Sequence, residues 1–276
     1  MAKRTEAGGP VRVGIGGWTY EPWRGAFYPA DLPKACELAY AGSRLTAIEI
    51  NGTFYRAQAP KSFAKWRDET PQNFVFAVKG HRAIVNKKNL AEAGETLDWF
   101  FKSGITELGD KLGPVLWQFA PFKKFDADDI AAFFALLPGE TGGLPVRHAV
   151  EVRHRSFCDP AFVALARQHG VAIVYADSDD YPAIADDTAG FVYARLMRTA
   201  EAEPAGYPAA ALDQWAERAR LWAAGGVPAD LPRVEEEAAA ASGKPRPVYV
   251  FVIAGAKVRA PAAAEALIER LGSQMP

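Results

Sequence analysis

Seven side chains scattered over the middle of this sequence have the types that acid–base chemistry and anion binding use: Glu49, Lys79, Gln118, Glu151, Arg153, Asp177 and Arg195. Each lies in, or just after, a short apolar run: Leu45 to Ile50, Phe74 to Val78, Val115 to Phe119, His148 to Val152, Val171 to Ala176 and Phe191 to Leu196. Two carboxylates whose pKa values are pulled apart by unlike neighbours can act as a general acid and base, and interspersed cations can hold a ligand's anionic groups. Glu49 and Glu151 are the expected pair, with Asp177 as a third catalytic candidate.

These groups act together only if the runs that carry them are neighbours in space. With Val11 to Gly16 and Val248 to Ile253, the sequence holds eight strand-like runs. The connections read as helices: Ala91 to Leu112 carries an apolar stripe at three- and four-residue spacing, and Leu212, Trp215, Ala219 and Trp222 repeat that spacing before Gly225. Asp159-Pro160 and Pro261 open two further helices. Eight strands alternating with helices, most strands apolar on both faces, predict an α/β fold, a single-domain (β/α)8 TIM-type barrel. No GxGxxG turn follows the first strand, which argues against an open dinucleotide-binding sheet.

Residues two apart on a strand share a face. An inward Glu49 therefore brings Ala47 and Asn51 inward, and the same parity groups Ala77 with Lys79, Leu116 with Gln118, Ala149 with Glu151 and Arg153, Ile173 and Tyr175 with Asp177, and Tyr193 with Arg195. Polar groups at strand ends mark the mouth of such a barrel. The structural alternative is a self-neutralised salt network that caps the core. A single divalent ion held by two of the acids and His154 is a further alternative, although the interspersed cations oppose a metal cluster. No cofactor is expected otherwise.

Three loops add groups. After the first strand, Gly16-Gly17-Trp18-Thr19-Tyr20 offers close backbone approach and ring surfaces, with Trp18 and Tyr20 as ligand contacts and Trp23 and Tyr28 as packing. After the second, Tyr55 and Arg56 pair a ring with a cation. After the eighth, Lys257 and Arg259 precede a helix start, the setting of a phosphate site.

The 276 residues are 49% hydrophobic and 24% charged with a net charge of −1, which gives no long-range pull toward nucleic acid or anionic membrane. Two cysteines without CxxC spacing read as free thiols, and MAKRTEAGGP lacks the apolar core of a signal peptide. No run nears the roughly 18 apolar residues of a membrane span. Cytoplasmic residence is expected, with residues 1–10 as a tail, 11–276 as the barrel, and the Pro-, Ala- and Glu-rich stretch 227–247 as a surface excursion.

The segments GIGGWTYEPWRGAFYP, EINGTFYR, FVFAVKGHR, LGPVLWQF, AVEVRHRSF and VYAD together resemble the domain-of-unknown-function family DUF72, also called YecE-like. The family is similar to (β/α) barrels and supplies no established reaction. The resemblance places Trp18, Tyr20, Glu49, Asn51, Tyr55, Lys79, Gln118, Glu151 and Arg153 on characteristic positions. Many members carry an asparagine pair where this chain has Ile253 and Ala254, and often a proline near His81 and a histidine near Asn86. The departures imply a different ligand, or the same one held through Lys257 or Arg259.

The leading expectation is thus an enzyme, hydrolase first and isomerase second, acting on a small polar, sugar-like or phosphorylated molecule. A metabolite-binding barrel without catalysis would use the same ring. A metal-dependent nuclease-like barrel is opposed by four histidines and the absence of a basic stripe. The oligomeric state leaves no trace in the sequence.

Overall fold

The structure, a computed structural model, describes residues 8–235 and 243–272. The first half runs β1 (Val11–Gly16), α1 (Glu37–Arg44), β2 (Ala47–Ile50), α2 (Gly52–Tyr55), α3 (Pro60–Asp68), β3 (Val75–Lys79), α4 (Arg82–Val85), α5 (Gly94–Phe101) and β4 (Leu112–Gln118). Next come α6 (Ala127–Leu136), a hairpin of β5 (Glu140–Thr141) and β6 (Leu144–Pro145), β7 (His148–Glu151) and α7 (Pro160–Gln168). The chain ends with β8 (Ala172–Ile173), β9 (Tyr175–Asp177), β10 (Val192–Leu196), α8 (Ala209–Ala223), β11 (Val248–Val252) and α9 (Ala260–Leu271).

All pairs in the main sheet are parallel, in the order β8-β7-β4-β3-β2-β1-β11-β10-β9. The two ends of that order are halves of one segment. Ala172 and Ile173 pair with β7, Tyr175 to Asp177 pair with β10, and Val174 N–H donates to Val150 O at 2.9 Å between them. The interrupted strand occupies one barrel position, so the eight predicted runs close a nearly complete cylinder.

Buried side chains divide into two clusters, as a covered parallel barrel requires. The larger lies between strands and helices and includes Val13, Ile15, Ile48, Ile50, Trp117 and Phe133. The smaller fills the barrel: Ala47, Ala77, Leu116, Ala149 and Ala172 from β2, β3, β4, β7 and β8, with Val174 from the link to β9, face Phe191, Tyr193, Tyr249 and Phe251 on the other side. Small residues thus oppose aromatic ones, and the Tyr193 and Phe251 rings pack at a tilt of 36° with centroids 5.1 Å apart. Gly14 contributes no side chain; a Cβ there would stand 1.9 Å from Ala47 O.

Two expectations are corrected. The stripe from Ala91 to Leu112 is not one helix: α5 ends at Phe101, Gly104 adopts φ 109°, a 3₁₀ segment follows, and Leu112 already belongs to β4. A Cβ on Gly104 would lie 2.7 Å from Pro60 Cα, so both the turn and the packing demand glycine. The facing of β8 and β9 is also the reverse of the expected one, although the alternation itself holds. Ala172 and Val174 face inward, whereas Ile173 and Tyr175 pack outward. The helix starts hold: Asp159 accepts from Ala161 N–H at 2.8 Å ahead of Pro160. Such a cap contributes about 1 kcal/mol.

Of the tail, residues 1–7 lie outside the described residues, while Gly9 N–H donates to Ala223 O and Pro10 O accepts from Val248 N–H. In the stretch 227–247, residues 236–242 lie outside the described residues. The rest is partly packed: Leu231 and Arg246 are buried, and Asp186 accepts from Val234 and Glu235 N–H. Among the described residues no helix is long and apolar enough to cross a membrane.

Candidate functional site

Strand parity delivers Glu49, Glu151 and Arg195 to one level at the C-terminal end of the barrel, all buried. Arg195 lies between the two carboxylates. Its Nε and Nη2 donate to Glu49 at 3.1 and 3.0 Å, and its Nη1 donates to Glu151 Oε2. Tyr193, two residues earlier on the same face, donates its hydroxyl to Glu49 Oε2 at 2.6 Å. Gln118 Nε2 and Arg153 Nε both donate to Glu151 Oε1, at 2.9 and 2.6 Å. Every oxygen of both glutamates is therefore engaged. Burial pushes the Glu151 carboxyl up, but the charges of Arg195 and Arg153 and their hydrogen bonds outweigh it and hold the group below the usual carboxylate range. The arrangement is the self-neutralised network foreseen as the structural alternative.

Above this layer opens a cleft of about 630 Å³. Trp18, Asn51, Tyr55, Gln118, Arg153, Arg195 and Lys257 line it, with Lys79 on its floor. Arg56, Thr19, Gln58, Trp66 and Ile253 also line it, and of these the sequence points only to Arg56. No sequence periodicity could have announced Trp66, since it reaches the rim from α3 by an edge contact with Trp18, ring centroids 5.1 Å apart. Five lining residues are cations, and no described lining residue is an acid.

Those cations are not equivalent. Arg195 is consumed by the glutamates beneath, and Arg153 shares itself between Glu151 and the face of Tyr181, 4.3 Å away. Lys257 lies over Tyr20 at 4.4 Å and Trp23 at 5.5 Å. Desolvation lowers its pKa. Lys79 is 7% exposed, stands over the Phe54 ring at 4.4 Å, and has no carboxylate partner at ion-pair distance among the described residues. Burial first, then the nearby Arg195 charge, draw its pKa down to about 8, although Glu49 and Glu151 pull the other way.

Four expected site residues lie elsewhere. Asp177 follows the outward parity of Tyr175: its Oδ2 accepts from Tyr207 OH at 2.9 Å, and Arg198 is 3.4 Å from Oδ1. Burial raises its pKa, but it faces the helix layer rather than the mouth. His154 turns back on its own loop, with Nδ1 accepting from Ser156 N–H at 3.1 Å. Arg259 Nε donates to Glu201 O at 3.1 Å, so the two cations after the last strand diverge and only Lys257 enters the cleft. Tyr20 lies beneath Lys257 instead of lining the cleft. Trp23 and Tyr28 are buried packing, with Trp23 Nε1 donating to Lys257 O. The acids and His154 that would hold a single ion thus face guanidinium groups or their own backbone, and no group of three or more His, Cys, Asp or Glu converges among the described residues.

The comparisons with known proteins agree with this architecture. A family model described as "Protein of unknown function DUF72" matches residues 12–276. The UPF0759 protein YunF of Bacillus subtilis (strain 168) is 26% identical over 157 residues, 55% of this chain and 54% of that protein, so the alignment spans about half of the relative. A DUF72 family protein (EF0366) of Enterococcus faecalis V583 superimposes with a TM-score of 0.70 at 17% identity, covering 97% of each chain. A second (TM1631), from Thermotoga maritima MSB8, gives 0.69 at 22% identity, covering 96% of this chain and 99% of that one. With the family model matched from the first strand through the last helix, the chain belongs to the DUF72 family.

Proposed function

We propose that this protein is an enzyme that binds a small polar anion, sugar-like or phosphorylated, in the cleft at the barrel mouth and acts on it by moving a proton. The observation that carries the reading is the charge of the wall: Arg56, Lys79, Arg153, Arg195 and Lys257 line one cavity whose described lining contains no carboxylate. A concave site with cations, an amide or two and aromatic rims suits an anionic metabolite. In this reading Glu49 and Glu151 are positioning residues. They hold Arg195 and set the charge of the floor, while the group that changes protonation beside the ligand is Lys79. Hydrolysis by paired carboxylates needs one of them protonated. All four oxygens of the pair already accept hydrogen bonds beneath the cleft, which opposes that and supports isomerisation better.

The test is a thermal-shift and calorimetric screen of inorganic phosphate, sugar phosphates, small carboxylates and neutral sugars. Anions are expected to raise the Tm and neutral sugars to leave it unchanged, with Arg153→Ala and Lys257→Ala each weakening binding about ten-fold. Equal responses to charged and neutral compounds would remove the proposal. The complete engagement of Glu49 and Glu151 also supports a second reading, a barrel that binds its ligand without turnover. Product formation from any anion that binds decides between the two.

A further inference from the structure

The groups in the cleft divide by what already satisfies them, and Lys79 is the exception. Arg195 and Arg153 are tied to carboxylates, and Lys257 is seated on two aromatic faces. The Lys79 ammonium has a single aromatic face, Phe54, and the two carboxylates nearest to it in charge are both occupied by Arg195. It projects from the end of β3 onto the floor of the cavity, nine-tenths buried yet open to anything that enters. A cation meant only to hold an anion works best with its charge secure. This amine is placed where its charge is costly, beside one guanidinium bridging two glutamates and a second one, Arg153.

We propose that Lys79 is a nucleophile toward carbonyl groups, and that the cleft takes a small 2-oxo acid whose carbonyl carbon meets Lys79 Nζ while its carboxylate lies toward Arg153 and Lys257. The inference rests on the anion-binding reading of the cleft and adds the identity of the second functional group. The free amine adds through its lone pair to the carbonyl carbon, forming the C–N bond and a carbinolamine. The C–O bond then breaks, and the oxygen leaves as water with the two hydrogens of the amine, giving the imine. One proton from solvent makes it the iminium. No oxidant or reductant is needed, and solvent reaches the open cleft. Desolvated amines in such pockets are the ones that form Schiff bases. The depressed pKa of about 8 supplies a useful free-amine fraction near neutrality. The groups that set this pKa are Arg195, Glu49, Glu151 and Arg153, with the Phe54 ring covering the amine from α2.

The test is reductive trapping of the full-length protein with pyruvate and cyanoborohydride near pH 7.5, followed by peptide mapping, with oxalate binding measured in parallel by calorimetry. One reduced adduct is expected on Lys79, forming about ten-fold or more faster than on the exposed lysines and blocked by oxalate. Lys79→Arg is expected to lose that adduct while still binding oxalate. Oxalate binding without a Lys79-selective adduct overturns the nucleophile and leaves the anion site standing. Absence of both overturns the two together.

Discussion

Two layers at the barrel mouth contain the same kinds of side chain and use them in opposite ways. In the lower one, every oxygen of Glu49 and Glu151 accepts a hydrogen bond from Arg195, Tyr193, Gln118 or Arg153. In the upper one, Lys79, Lys257 and Arg56 meet rings or solvent, and no described acid lines the cavity between them. A buried charge must be paired or its burial destabilises the fold. The lower layer obeys that rule and belongs to the scaffold. The upper layer violates it at Lys79, and a group whose needs the fold leaves unmet is where a ligand has something to gain.

The contrast is broken most severely at its hinge. Arg195→Met leaves the buried Glu49 without a cation and Glu151 with Arg153 alone, and the expected loss is about 3–5 kcal/mol of unfolding free energy by urea titration. Adding Glu49→Gln and Glu151→Gln to that variant should recover much of it. A loss under about 1 kcal/mol for Arg195→Met alone would mean that the lower layer does not support the fold.

Lys79 should show the opposite sign. Its folded pKa of about 8 lies below the ordinary 10.5, so across that window the unfolded chain binds a proton that the folded chain has released, and stability rises with pH. Lys79→Met removes this rise and is expected to be more stable than the native protein at neutral pH, by about 3 kcal/mol at most. Denaturation of both proteins at pH 7.5 and 10 gives the difference directly; parallel pH profiles would show that Lys79 is not desolvated.

Tyr193→Phe removes one donor from Glu49 while leaving Arg195 in place, and an intermediate cost of about 1–2 kcal/mol is expected by the same titration. The smallest effect belongs to Lys257→Ala, which loses the contacts over Tyr20 and Trp23. About 0.5–1 kcal/mol of stability is expected from those contacts, against a clear loss of anion affinity. If that balance were reversed, Lys257 would belong with the scaffold and the division into layers would have to be redrawn.

Much of this was legible along the chain. The runs at Val11, Phe74, His148, Phe191 and Val248 became strands within a residue or two of their expected limits, because a strand buried on both faces has little choice but to be apolar throughout. Glu49, Lys79, Gln118, Glu151 and Arg195 converge because alternation along a strand is strict over four or five residues. The same rule misplaced Asp177. Parity must be anchored somewhere, and a charged strand end points to the mouth, whereas Tyr175 packs against Trp215 and Trp222 of α8 and carries Asp177 outward with it. Loop residues fared worst. His154 and Arg259 looked available by sequence but bond to nearby backbone, since loop side chains have no periodicity that fixes their direction.

The sequence alone determined the eight runs that build the barrel, their order as parallel neighbours and the level at which the charged groups meet, but not the β5–β6 hairpin or the break between β8 and β9. These follow from hydrophobic period and side-chain alternation, which are local. Pairing decided the rest. Whether a carboxylate is a free acid or half of an ion pair depends on which cation arrives from a strand 146 residues away, as Arg195 does at Glu49, and only the closed barrel brings the two within 3.0 Å.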